Sequence, residues 1–407
     1  MRRVVLGGLV LSTALAIPAG AAPGDQSSHS SVRVSDKVRA VDIALDSGSV
    51  LLRRGSVAAV DVIKHWNGNE PTVSVKVSNG VLQITGNCPG VFNGPLVYVG
   101  GLNSCDTDIV VTLPQRALDS TVTTGGPVTL SGFQGTHRLN SGYDDVVVSG
   151  TSGPSLRIDS AGAVRLASLR AGTVTAKSGS GNLSLISSTV TGSVTLSTSS
   201  GHVRTSGLTA HSLSLQTGSG DLSVDHLRVA RGVTLDTSSG NVSATSVVGE
   251  QLNGQTGSGS LTVRDARIAT PLVLDTSSGD VKVSGVRAPS LQLDTGSGDI
   301  TVTDATTAAI KADTSSGHVS VTGTTARDLQ LDSGSGNLSL VTTTAPTSVK
   351  ADTSSGNVSV TVPRGAYLLS LQQSSGRLVI DGISPDSRAA RRLDLSTGSG
   401  DISVLGR

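Results

Sequence analysis

A Ser-Gly pair returns at a nearly constant spacing of about 20 residues through the C-terminal half of this chain of 407 residues. A fixed period of this size is typical of proteins in which each repeat stacks on its neighbours and buries a shared core. We therefore expect a repeat array. The punctuating glycines are Gly181, Gly201, Gly220, Gly240, Gly259, Gly279, Gly298, Gly317, Gly336, Gly356, Gly376 and Gly400, and only the last spacing is clearly longer than the others.

The segment LQLDTGSGDITV, from Leu291 to Val302, shows the layout of one unit. Apolar and polar residues alternate before and after its Gly-Ser-Gly turn, which indicates two half-buried strands. A short third arc then leads to the next unit. Stacked antiparallel hairpins are the alternative, but the near-constant unit length favours coils that stack in parallel.

We predict an all-β fold, a parallel β-helix or β-solenoid with coils of about 19–20 residues, preceded by a small N-terminal β region. Left-handed β-helices usually show hexapeptide repeats, and none is visible, so we expect a right-handed coil. The composition agrees with a thin core, because only two Phe, three Tyr and one Trp are present and Val, Leu, Ile and Ala must fill the interior.

A finer alternation runs through the repeat. Layers that alternate in size interdigitate better than uniform layers, so we interpret the pair of coils, and not the single coil, as the building block. The pattern fails near the C-terminus, where Ser374 goes with Leu378 and not with valine. The residue two before each glycine alternates as Gly179, Ser199, Gly218, Ser238, Gly257, Ser277, Gly296, Ser315, Gly334 and Ser354, and the residue two after it alternates in step as Leu183, Val203, Leu222, Val242, Leu261, Val281, Ile300, Val319, Leu338 and Val358.

The segment 1–21 has the layout of a secretory signal peptide. Arg2 and Arg3 precede an apolar run from Val4 to Ile17, and small residues follow as far as Ala22. A retained membrane anchor is the alternative, but the run is shorter than the ~20 residues that a spanning helix needs. No second apolar stretch follows, so we predict no membrane span after signal removal and a location outside the cell or in the cell envelope.

The mature chain is predicted to divide near Pro114. Residues 22–114 would form the N-terminal β region and residues 115–407 the solenoid, with an irregular capping coil at its C-terminal end. The insertion from Gly382 to Arg392 carries Arg388, Arg391 and Arg392, and we expect these arginines to protect the exposed sheet edge there.

Cys88 and Cys105 are predicted to form a disulfide, because an exported protein meets an oxidising compartment. A loop of about 15 residues gives about 3 kcal/mol in the chain-entropy model. A metal pair or a catalytic thiol is the weaker interpretation, since neither a second ligand pair nor an activating partner accompanies the cysteines. The net charge of +1 gives no reason to expect nucleic acid or an anionic membrane as a partner.

The histidines do not form a predicted active site. His202 and His318 occupy the slot just after the turn glycine, where Asn and Asp stand in other units, so we interpret them as turn residues. No G-x-S-x-G, H-E-x-x-H or P-loop motif is present. We therefore predict no catalytic residues, no cofactor and no enzymatic activity, although polysaccharide-active enzymes also use parallel β-helices.

Two polar columns follow from the period. The threonines three residues before each glycine are predicted to bond neighbouring backbone groups; an ice-binding surface is the alternative, but it generally needs a paired T-x-T row. The aspartates four residues before the glycine are predicted either to cap their own turns or to bind cations along the column. The columns are Thr198, Thr217, Thr237, Thr256, Thr276, Thr295, Thr314 and Thr353, and Asp275, Asp294, Asp313, Asp332 and Asp352.

The whole layout resembles the bacterial putative-adhesin β-strand-repeat family, a family of unknown function. The resemblance depends on DSGSV at Asp46 to Val50, NGVLQI at Asn79 to Ile84, and DIVVTLP at Asp108 to Pro114, followed by the T-[SG]-S-G units. It implies a β-solenoid at the bacterial envelope or outside the cell, and it supplies no catalytic residues. The cysteine pair is not part of the family pattern.

These features together predict a secreted or surface-displayed structural and interaction protein. It would present Ser, Thr, Asn and Asp side chains to an unknown surface or envelope partner, either protein or polysaccharide. The alternatives are an envelope-stress or cell-wall sensor that acts through protein contacts, and a carbohydrate-active β-helix enzyme.

Overall fold

The computed structural model describes residues 11–13, 26–34, 37–89 and 105–407. Most of the predicted signal peptide therefore lies outside the described residues. The chain forms two compact units, Met1–Gly192 and Ser193–Arg407. All regular structure in the described ranges is β-strand, and within them no helix has the length and apolar character to cross a membrane.

The strands begin and end close to the turns that the sequence predicts. Those of the first unit are β1 (Leu11–Thr13), β2 (Gln26–Arg33), β3 (Ala40–Leu45), β4 (Val50–Arg54), β5 (Ala59–Trp66), β6 (Thr72–Ser78), β7 (Val81–Asn87), β8 (Cys105–Leu113), β9 (Asp119–Thr124), β10 (Val128–Ser131), β11 (His137–Ser141), β12 (Val146–Ser149), β13 (Ser152–Ser160), β14 (Val164–Ala167), β15 (Arg170–Ser178) and β16 (Leu183–Val190).

The second unit continues the same alternation of strands and turns. Its strands are β17 (Ser193–Thr198), β18 (Val203–Ala210), β19 (Ser212–Thr217), β20 (Leu222–Thr237), β21 (Val242–Thr256), β22 (Leu261–Arg264), β23 (Arg267–Ile268), β24 (Leu272–Thr276), β25 (Val281–Ser284), β26 (Ser290–Thr295), β27 (Ile300–Thr303), β28 (Ala309–Thr314), β29 (Val319–Thr324), β30 (Asp328–Ser333), β31 (Leu338–Thr342), β32 (Ser348–Thr353), β33 (Val358–Val362), β34 (Gly365–Ser375), β35 (Leu378–Asp381), β36 (Ile383–Pro385), β37 (Arg392–Ser399) and β38 (Ile402–Gly406).

Each coil places one strand before its turn and one after it, and equivalent strands of successive coils pair in parallel. In the second unit β26 pairs with β24 on one side and β28 on the other, and β27 pairs in the same way with β25 and β29. The predicted parallel β-solenoid is therefore confirmed, and the alternative of stacked antiparallel hairpins is wrong for these coils. The handedness of the coil stays a prediction.

The core is a set of apolar columns that run from coil to coil. Val281, Ile300 and Val319 stack in register, and each is 0% exposed. Fully burying such a side chain contributes roughly 1.5–3 kcal/mol. The predicted alternation of larger and smaller residues is thus a real column in these coils, where Ile300 lies between two valines.

The stacked turns explain the punctuating glycine. A Cβ on Gly298 would lie 2.1 Å from the carbonyl oxygen of Gly279, and a Cβ on Gly317 would lie 1.8 Å from that of Gly298. The turns of successive coils pack backbone against backbone, so no side chain fits between them. Each coil therefore needs a glycine at this point of its turn, and the spacing of these glycines in the sequence is the length of one coil.

The first unit does not stack its coils in chain order. The coil of β3 and β4 comes first in the sequence, yet β3 pairs with both β7 and β9, and β4 pairs with both β8 and β10. Antiparallel strands then cover the outermost coil, with β6 on β7 and β5 on β8. The parallel pairings run across Pro114, and a domain boundary near that residue stays a prediction.

The second unit reorders its last coils in a matching way. β37 lies between β32 and β34, and β38 lies between β33 and β35. In space Ser354 is therefore followed by Gly398 and then by Ser374, so the Gly/Ser alternation that fails in chain order continues in the stack. The last segment of the sequence is paired on both sides, which opposes fraying.

Two of the three arginines in the C-terminal insertion contact groups other than the exposed sheet edge, and edge protection by Arg388 stays a prediction. Arg392 lies in β37, between two other strands, and pairs with Asp394 at 2.9 Å. The guanidinium of Arg391 lies 5.8 Å from the ring centroid of Tyr367, a cation–π contact. The insertion itself pairs through β36 with residues Gly365 to Tyr367.

Candidate interaction surface

The threonine column faces inward at the corner of each turn. Its members are between 1% and 7% exposed. The hydroxyl of Thr295 donates to the carbonyl of Gly279 at 2.8 Å and accepts the N–H of Gly298 at 3.2 Å. The prediction that these hydroxyls bond the backbone is confirmed, and the ice-binding alternative is wrong because the column is buried.

A second column of side chains accepts hydrogen bonds from the backbone N–H groups just after the turn glycine. The N–H of His318 donates to Asp299 Oδ1 at 2.7 Å, and the N–H of Asn337 donates to His318 Nδ1 at 2.9 Å. The side chain of each coil therefore accepts the N–H of the next coil, a net contribution of about 0.5–1.5 kcal/mol per bond. His318 acts as a turn residue, as predicted. The same chain of bonds continues through Asn357, Asp401 and the N–H of Arg377.

The predicted aspartate column is present in strict register. The strand pairings place Asp275, Asp294, Asp313, Asp332 and Asp352 side by side on the outward face of five successive coils. The turn N–H groups that these carboxylates were expected to cap go to the threonine hydroxyls instead, for example Gly317 N–H to Thr314 Oγ1 at 3.1 Å. The carboxylates are consequently left facing outward.

Partial burial and neighbouring charges change the acidity of one member of this column, Asp294. The pKa of Asp294 is raised above its ordinary value, first by partial burial and then by the charges of Asp313 and Asp275, while Lys311 opposes the shift. Adjacent strands lie about 4.8 Å apart, so each carboxylate meets its neighbours at close range. Among the described residues no group of three or more His, Cys, Asp or Glu could hold a metal ion, and a cation along the column stays a prediction.

Amide and ammonium groups lie beside the aspartates. Gln292, Lys311, Gln330 and Lys350 form the parallel column two residues before them. These four residues line a shallow cavity of about 460 Å³, and Gln330 Nε2 donates to Asp332 Oδ2 at 2.6 Å. We call the two columns together the aspartate face. It offers donors and acceptors at a constant spacing, which suits an extended partner better than a compact one.

A second concave region lies on the third arc of the second unit. A cavity of about 540 Å³ is lined by Val248, Arg267, Arg287 and Thr306 among others. Val248 is 41% exposed, and the strand and bridge pairings put the four residues on successive coils. Sequence periodicity gave no sign of this region, because the third arc varies in composition from coil to coil.

The two cysteines are joined by a disulfide in the structure, with their Cα atoms 5.8 Å apart. Cys88 directly follows β7, and Cys105 opens β8, so the bond ties together the two strands of the outermost coil of the first unit. Disulfide formation in the exported protein stays a prediction.

Sequence reasoning missed a buried histidine in the first unit. His137 is 2% exposed and lies in an inward column between Ser120 and Leu156. Its Nδ1 is 2.9 Å from Ser120 Oγ, and its Nε2 is buried with no hydrogen-bond partner. Burial lowers its pKa to about 4, although the charge of Asp119 opposes the shift. The alternation of β11, in which His137, Leu139 and Ser141 share one face, is the signal that could have identified it.

A model of a known protein family matches most of the chain. The family model described as Toastrack DUF4097 matches residues 38–284 and residues 255–405. No curated protein matches the chain.

Solved structures resemble the chain only distantly. A putative cell adhesion protein from Clostridium sporogenes is 8% identical, with a TM-score of 0.18, over 94% of this chain and 100% of that one. A putative adhesin from Bacteroides fragilis is 12% identical, with a TM-score of 0.23, over 78% and 97%. A putative adhesin from Parabacteroides distasonis is 13% identical, with a TM-score of 0.18, over 93% and 97%.

Proposed function

The chain belongs to the Toastrack DUF4097 family, and on that premise we propose that it is a secreted or surface-displayed, non-enzymatic interaction protein of the bacterial envelope. The aspartate face binds an extended partner there in an adhesion-like manner. The observation that carries the proposal is the register of the outward columns. Carboxylates, amides and ammonium groups recur on successive coils at one constant spacing.

Such a surface binds by repetition. Each coil contributes a few exposed polar contacts, and an exposed ion pair is worth only about 0.2–1 kcal/mol. Several coils must therefore engage one partner together, as in multivalent recognition. A linear polymer or an extended chain along the solenoid can do so, because it meets the same groups at every coil.

The test compares two faces of the same coils. Changing Asp294, Asp313, Lys311 and Gln330 to alanine removes the centre of the aspartate face. The matched control changes Thr301, Ser320 and Ser339 to alanine. These three residues stack outward on the other strand of the same coils. We expect the first variant to lose binding to envelope fractions by tenfold or more and the control to keep it, with both folded by circular dichroism. Equal binding by both variants would contradict the proposal.

A further inference from the structure

The outermost C-terminal coil of the second unit leaves its part of the core open. Leu378 is 49% exposed and Ile380 is 38% exposed, although both occupy inward columns. Their partners one layer deeper, Ile402 and Val404, are each 0% exposed. The inward residues of β34 in the same coil are likewise only half-buried.

The corresponding coil of the first unit is closed. Leu82, Ile84, Ile109 and Val111 are its inward residues, and each is 0% exposed. Antiparallel β6 and β5 cover the edges of its two strands. In the described chain β35 has no such cover, since it pairs with β38 alone. An open apolar edge strand is a template for pairing with another chain.

The edge of β35 has a defined set of free backbone groups. The carbonyl of Arg377 accepts the N–H of Ile402 at 3.0 Å. The backbone N–H and C=O groups of Arg377 and of every second residue after it therefore face β38. In a parallel ladder alternate residues face opposite sides. The N–H and C=O groups of Leu378 and Ile380 therefore point outward, and an incoming strand must bond to these two residues.

The sequence of this edge is complementary to itself. In an antiparallel pair centred on Val379, Leu378 of one copy faces Ile380 of the other, and both lie on the inward side. The same register exchanges the free backbone bonds of these two residues. It also places Arg377 opposite Asp381 of the second copy, twice by symmetry. Neither Arg377 nor Asp381 takes part in an ion pair within the described ranges.

We propose that the open C-terminal coil of the second unit is a homodimer interface, in which two copies pair β35 with β35 in antiparallel fashion about a two-fold axis at Val379. Burial of Leu378 and Ile380 across the axis drives association. The Arg377–Asp381 pairs fix the register. The contact closes on itself, because a two-fold interface uses the same patch on both copies.

Charge reversal tests the register directly. In the full chain, Arg377→Asp sets aspartate against Asp381, and Asp381→Arg sets arginine against Arg377. We expect each single variant to dimerise at least about tenfold more weakly than the parent in sedimentation equilibrium. The double variant restores complementary pairs and should dimerise like the parent. An equimolar mixture of the two single variants should form a heterodimer. Arg287→Asp, an exposed arginine elsewhere in the second unit, is the control and should leave the mass unchanged.

A crosslink tests the axis. Residues 379 of the two copies form a non-hydrogen-bonded pair, with Cα atoms about 4.5 Å apart, close enough for a disulfide. Val379→Cys should therefore give a covalent dimer under mild oxidation. Val248→Cys has nearly the same exposure, 41% against 39%, and should stay monomeric in denaturing gels.

Two results would overturn the proposal. One is a chain that stays monomeric up to high micromolar concentration. The open coil would then bind a protein other than a second copy. The other is a dimer that neither charge reversal weakens and that Val379→Cys does not crosslink, which would place the interface elsewhere.

Discussion

Replacing His137 with leucine should make the first unit resistant to mild acid. The imidazole lies in an inward column, 2% exposed, and its pKa is lowered from 6.5 to about 4. The unfolded chain therefore takes up a proton near pH 6.5, while the folded chain does not do so until about pH 4. Stability from this group is present above pH 6.5 and is lost as the pH falls.

The magnitude follows from the size of the shift. Each pKa unit corresponds to about 1.4 kcal/mol, so the first unit should lose on the order of 3 kcal/mol between pH 7 and pH 4. The pKa values of Asp145 and Asp280 are also lowered, by hydrogen bonds from Arg165 and Lys282, but from the ordinary value of 3.8. Their contribution is lost only in stronger acid, and the raised pKa of Asp294 acts in the second unit, so the loss of stability in the first unit between pH 6.5 and pH 4 is due to His137.

Hydrogen exchange provides the assay, because it resolves one unit within the chain. Protection of the β9, β11 and β13 amides should fall between pH 7 and pH 4 in the parent and stay level in His137→Leu, after correction for the intrinsic exchange rate. His211→Gln, at an exposed position, should behave like the parent. An unchanged acid loss in His137→Leu would refute the reasoning, since another group would then be responsible.

Further predictions concern the packing and the charges of the second unit. Val281→Leu should destabilise by about 1–3 kcal/mol through overpacking, and adding Leu261→Val should recover part of that loss in a denaturant titration. Gly298→Ala should destabilise far more than a surface change, because its Cβ would lie 2.1 Å from the Gly279 carbonyl oxygen. Asp294→Asn should raise the melting temperature at pH 7, because the raised pKa shows that the ionised carboxylate is unfavourable in the folded state. This gain in melting temperature should vanish below pH 3.8. Calcium should stabilise the parent more than the variant.

The period and the alternation predicted the coils because both are local consequences of stacking. Gly298 recurs as glycine since the carbonyl of the preceding turn occupies the place of a side chain, and Val281 alternates with Ile300 since adjacent layers interdigitate. The aspartate column followed from the same period. The turn-capping role predicted for these aspartates was wrong, because Thr295 accepts the turn N–H group of Gly298.

The order of the end coils could not be predicted. The placement of β37 between β32 and β34 depends on which of two nearly equivalent edges a strand joins, and similar repeats offer similar edges. Ser374 occurs with Leu378 where valine was expected, and this mismatch was the local sign of the reordering. The mismatch has a physical reason. Leu378 lies in the outermost layer, where no further coil limits its size.

Deletion of coil pairs tests the central claim that binding is distributed over the successive coils of the aspartate face. Removing residues 240–278 takes out one complete coil pair, which includes Asp275 at one end of that face, and keeps the Gly/Ser alternation, so the chain should fold and bind envelope material somewhat more weakly. Removing a single coil sets two like layers together and should cost more stability. Across a series of pair deletions, measured by affinity for envelope fractions, the account predicts a gradual decline with each pair lost. Complete loss from one particular deletion, with the fold intact by circular dichroism, would contradict it and identify a discrete site in that pair.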